Sequence, residues 1–105
     1  MATIELKGEL TVGEAEKVKK LFLSSLQKKN DIVLDFSGLE DIDVSIIQLI
    51  HGLFVSQNKN CKVEIKGTID PVIRHRFYVC GLINSEDADD AAIAESICEK
   101  MRSAS

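Results

Sequence analysis

The sequence predicts an α/β domain: a mixed sheet of four to five strands with about four helices, largely on one face. Three observations lead there. Short alternating or β-branched runs occur at residues 3–7, 32–36 and 61–66. Each is followed by a stretch whose apolar residues recur at helical spacing. Strands separated by helices imply some parallel pairing through right-handed crossovers.

The elements follow in order. Thr3-Ile4-Glu5-Leu6-Lys7 alternates polar and apolar, as a strand with one wet face does. Gly8 is expected to break it, with Glu9-Leu10 as a short continuation. Thr11 and Glu14 have capping-box spacing, which predicts a helix start. Ala15, Val18, Phe22 and Leu26 then mark one apolar side, and the helix closes near Lys28-Lys29-Asn30. Residues 32–36 (Ile-Val-Leu-Asp-Phe) read as a central strand covered on both faces, and residues 37–42 as a loop.

A second helix is expected over residues 44–58, capped by Asp43. Residues 61–66 alternate again and end at Gly67. Asp70-Pro71 marks the third helix, with Asp as the cap and Pro in the first turn. Val72, Ile73, Phe77 and Cys80 give that helix its apolar side, and Gly81 its left-handed end. Leu82-Ile83 is expected to add a short edge strand. Residues 87–101 form the fourth helix, acidic at the front and basic at the back, as the macrodipole prefers.

Composition narrows the function. The 105 residues suit one domain, 1–105, with no linker-like segment. Thirteen basic and 17 acidic residues leave a net charge of −4, which argues against a nucleic-acid partner. With four Phe, one Tyr and no Trp, a stacking platform for single strands is not supported. There is neither a signal-peptide pattern nor a long apolar run, so a cytoplasmic location without membrane insertion is expected. Cys61, Cys80 and Cys98 have no zinc spacing and read as small hydrophobes in a reducing compartment. His51 and His75 lack ligand-spaced partners. No phosphate-binding glycine loop and no nucleophile elbow is present, so no catalytic residues, metal or cofactor are assigned.

The informative stretch is residues 33–50, a strand, a loop and a helix start. On the second helix Ile46, Ile47, Ile50, Leu53 and Phe54 fall on one side, facing the sheet. Ser45, Gln48, Gly52, Val55, Ser56 and Lys59 fall on the other, mostly small or polar. A mid-helix glycine costs about 1 kcal/mol relative to Ala, so Gly52 calls for close approach of another surface or tight packing within the domain.

This segment resembles the signature of STAS domains, the family of bacterial anti-anti-sigma factors. Asp35-Phe36-Ser37 is similar to the family's strand end, and Ile42-Asp43 to the start of its helix motif. Gly8-Glu9-Leu10-Thr11 resembles the family's opening turn, and residues 77–82 its Phe-x-x-x-Gly-Leu third-helix end. Ile47-Gln48-Leu49-Ile50 is most similar to STAS proteins encoded with chemotaxis components.

The resemblance implies a STAS-like fold and a non-enzymatic signalling adaptor of the anti-sigma factor antagonist kind. Its partner would be a kinase-like anti-sigma factor or a chemotaxis component. Partner-binding residues would be Asp43, Val44, Ser45, Gln48, Gly52 and Val55, with loop 37–43. In the family a Ser or Thr after the motif Asp is commonly phosphorylated. Here Val44 stands at that position, Ile46 replaces the usual Gly, and Ser45 offers the substitute hydroxyl. The alternatives are a soluble subunit docking on the ATPase of a bacterial lipid ABC transporter and, in another class, a metal- or ligand-binding domain using the acidic loop 40–43.

Overall fold

Alternation along the strands builds one covered sheet face. The computed structural model describes residues 2–28, 31–56 and 62–103. The order is β1 (Ala2–Leu10), α1 (Ala15–Gln27), β2 (Ile32–Ile42), α2 (Val44–Val55), β3 (Val63–Lys66), α3 (Pro71–Val79) and α4 (Asp90–Ser103). Among the described residues the sheet has three strands in the order β1-β2-β3, and both pairings are parallel. The fourth and fifth strands of the expected mixed sheet, and its antiparallel pairing, are not found among the described residues. The missing edge strand is Leu82-Ile83. Leu82 donates its N–H to the Phe77 carbonyl (2.9 Å) and Gly81 donates to Tyr78 (3.0 Å), closing α3 in a Schellman motif. Gly81, at φ 78°, makes that closure possible.

Ile4, Leu6, Ile32, Leu34, Phe36, Val63 and Ile65 form the buried face of the sheet. Thr3, Glu5, Lys7, Glu64 and Lys66 are exposed on the other. Val33 is buried as well, but its cross-strand neighbours Thr3 and Glu64 are exposed, so β2 is covered on one face and not on two. The helices close the core with Val18 and Phe22 from α1, Ile73 and Phe77 from α3, and Ile93, Ile97 and Met101 from α4. Phe77 stacks on Phe36 at 6.1 Å between ring centroids, tying α3 to β2.

Two elements run longer than the sequence suggests. β1 passes through Gly8 (φ 67°) and continues to Leu10. β2 does not end at Phe36 but extends through residues 37–42, pairing with Lys7 to Leu10. Two irregularities make this possible: between Glu5 and Lys7, and again between Gly8 and Glu9, β2 carries the extra residue. The expected capping box does not form. Thr11 starts a 3-10 turn, Val12–Glu14, and makes no side-chain cap bond; the Glu14 N–H is taken by the Thr11 carbonyl (2.9 Å). At α4 the first turn begins at Asp90 and not at 87, because Asp89 accepts from the Ala92 N–H (2.8 Å). The expected ends of the first two helices at Lys29-Asn30 and Asn58, together with Lys59 and Cys61, lie outside the described residues.

The segments around α3 are held by one side chain. Arg74, 16% exposed, donates to the carbonyls of Ile69 (3.0 Å), Glu86 (2.9 Å) and Ala88, and to Asp90 (2.6 Å). Asp90 also accepts from the Ile69 N–H (2.9 Å). One guanidinium thus satisfies three carbonyls and a helix-terminal carboxylate.

Candidate functional site

The site grows from the cap of α2. Asp43 has extended backbone, and its carboxylate accepts from the N–H groups of Ser45 (3.0 Å) and Ile46 (3.4 Å). The Ser45 hydroxyl donates to the same oxygen. That hydroxyl bond holds the Asp43 carboxyl below its usual range; burial opposes it, and the amides of Ile46, Val12 and Ser45 add to it. Asp43 in turn donates its backbone N–H to the Leu10 carbonyl (3.1 Å), fixing the cap to the end of β1.

Beyond the cap, the helix divides as its periodicity predicts. Ile46, Ile47, Ile50, Leu53 and Phe54 are all buried. Val44, Gln48, Gly52, Val55 and Ser56 are exposed, and Ser45 is half-buried. Asp, Glu, Lys and Arg are absent from α2. Val44 is 58% exposed and Val55 50%. Nothing lies within 4 Å of where a Cβ on Gly52 would stand. Among the described residues nothing presses on that glycine, so none of them supplies an intramolecular reason for it.

Two depressions flank this outer face. One, about 180 Å³, lies between α1 and α2 and includes Phe22, Leu23, Leu26, Gln48, Gly52 and Leu53. The other, about 250 Å³, lies between the α2 cap and α3 and includes Leu10, Asp43, Val44, Ile47, Arg76 and Val79. Its rim is set by Arg76, which grips Asp41 through two bonds (2.9 and 3.2 Å). The guanidinium is the main reason the Asp41 carboxyl sits below its usual range; the Ile42 N–H adds to it. Asp41 in turn raises Arg76.

The contribution of α3 goes beyond the sequence reading. Val72 and Cys80, expected on its buried side, are exposed. Only Ile73 and Phe77 are buried. Val79 is 69% exposed beside Val44 in the lining of the second depression. A signal existed: Val79 lies two residues past Phe77, hence on the far side of the helix, where a polar residue is the norm.

The acidic loop does not gather its carboxylates. Glu40 is exposed and Asp41 half-buried, both lying between the buried Leu39 and Ile42 where the irregularity breaks the strand's alternation. Asp41 is engaged by Arg76, and Asp43 by the cap. Among the described residues no group of three His, Cys, Asp or Glu is placed to hold a metal ion. His75 pairs with Glu86 (3.3 Å) at the surface. No helix of the described residues is long and apolar enough to cross a membrane.

The STAS domain family model matches residues 1–99. No curated protein and no solved structure matches the chain.

Proposed function

Because the chain belongs to the STAS domain family, we propose that it is a non-enzymatic adaptor of the anti-sigma factor antagonist type, acting in the bacterial cytoplasm by docking a kinase-like or chemotaxis signalling protein on the outer face of α2. STAS domains commonly mediate protein–protein interaction. The observation that carries the proposal is the outer face itself: a helix without Asp, Glu, Lys or Arg, exposed at Val44, Gln48, Gly52 and Val55, with a glycine that no neighbour among the described residues requires. Surfaces that exclude charge and carry a close-approach glycine suit a packed protein partner.

The docking is independent of phosphate. Val44, at the family's usual acceptor position, has no hydroxyl. The Ser45 hydroxyl is engaged by Asp43. A phosphate there would bring about −1.5 to −2 charge against that carboxylate, although the helix N-terminus itself favours an anion. Phosphate transfer from the partner, if it occurs, maps to Ser45, and mass spectrometry placing it at Ser37 or Thr11 contradicts this assignment.

Substitution Gly52→Arg tests the face. Arg is the better helix former and meets open space, so the fold is retained and Tm does not fall. Affinity purification from the native host with the wild-type chain identifies the partner, and Gly52→Arg is expected to abolish its recovery. Full recovery with the folded variant overturns the assignment.

A further inference from the structure

β1 uses only one of its two edges. Its nine residues pair with β2 from Ala2 to Leu10, and no backbone partner occupies the other edge among the described residues. Such an edge presents a ladder of free N–H and C=O groups that another strand can extend. The extra residues of the β1–β2 ladder belong to β2, so β1 keeps strand alternation from Thr3 to Lys7, with Ile4 and Leu6 buried and Glu5 and Lys7 outward. Glu5 and Lys7 pair at 3.0 Å and are 58% and 72% exposed.

We propose that this edge pairs antiparallel with the β1 edge of a second copy, about a two-fold axis through Leu6, so that Glu5 of each copy faces Lys7 of the other. The result is a continuous sheet with three strands from each copy, independent of any docking on α2. The register follows from three constraints. A buried face must meet a buried face, which admits only registers that slip by two residues at a time. Leu6 opposite Leu6 overlaps the whole of β1 and sets two opposite-charge pairs directly across from each other. A slip one way sets Glu5 against Glu5; a slip the other way sets Lys7 against Lys7 and Glu5 against Glu9. Like charges directly opposite are destabilising. Of the next two registers, the one centred on Ile4 keeps only residues 2–6 and sets Glu5 against Thr3 with no opposite-charge pair, and the one with Lys7 opposite Glu9 keeps only residues 6–10 and centres on Gly8, whose φ of 67° is not that of a strand.

Sedimentation equilibrium of the full chain tests this, with circular dichroism confirming folding. The wild type is expected to be in monomer–dimer equilibrium. E5K and K7E each turn two attractive pairs into repulsive ones and should weaken dimerisation about tenfold or more. An equimolar mixture of E5K and K7E restores both pairs, so it should associate where neither variant does alone. The E5K/K7E double variant keeps both contacts with their roles reversed; it should dimerise with itself and exclude the wild-type chain, and it carries the test if a single variant fails to fold. A wild type that stays monomeric at every concentration, single variants that associate as it does, or a double variant that mixes freely with wild type overturns the proposal.

Discussion

Arg74 and Arg76 stand two residues apart on α3 and do different work. Arg74 turns inward, 16% exposed, and closes a network of three carbonyls and Asp90 that joins α3, the segment before α4 and α4 itself. Arg76 turns outward, 52% exposed, and holds Asp41 at the rim of the depression beside the α2 cap. The chemistry is the same, guanidinium on carboxylate, but solvent access separates the outcomes. A shielded guanidinium leaves its acceptors unsatisfied when removed; an exposed pair is screened and contributes little to stability. The contrast divides the molecule into a region built for holding the chain and a region whose charged and apolar groups are left at the surface.

Substitutions should rank by that division. Arg74→Ala removes donors from three carbonyls at once and is expected to lower stability by about 2–3 kcal/mol, read in urea denaturation. A midpoint equal to that of the wild type would refute the holding role. Asp43→Ala frees the first N–H groups of α2 and should lower Tm less than Arg74→Ala does. Its effect should also depend on pH. The carboxyls of Asp35, Asp41, Asp43 and Asp90 all titrate below their ordinary value of 3.8 in the folded chain. Their stabilisation is therefore complete above pH 3.8 and is lost as pH falls through the lower folded values. Acid unfolding of Asp43→Ala should accordingly be less steep than that of wild type, and equal slopes would show that the cap carboxylate carries no linkage. Arg76→Ala, the mildest change, should leave Tm where it is and weaken partner binding through the altered rim; an unfolded variant would place Arg76 with Arg74.

Much of the holding region was legible in the sequence, because it rests on local rules. The five inward residues of α2 follow from helical spacing, and Asp43, Asp70-Pro71 and Gly81 follow from capping chemistry. What local rules could not give is long-range. β2 reaches Ile42 only because β1 lies beside it and two irregularities absorb one extra residue between Asp35 and Gly38 and another, Glu40, between Leu39 and Asp41. Thr11 has a good capping sequence, yet the 3-10 turn fills the same N–H from the backbone. Arg74 bonds carbonyls 12 and 14 residues away, which no spacing encodes. The surface region was half legible. The α2 stripe came from periodicity, whereas the share of Arg76 and Val79 depends on where α3 packs, which Phe77 on Phe36 decides.

The docking of a protein partner on α2 is tested most directly by methyl NMR of the valines as the purified partner is added. Val44 and Val55 on the outer face should shift and broaden, while Val33, on the opposite side of the sheet, should not move. Unchanged Val44 and Val55 signals in a saturated complex would contradict docking there.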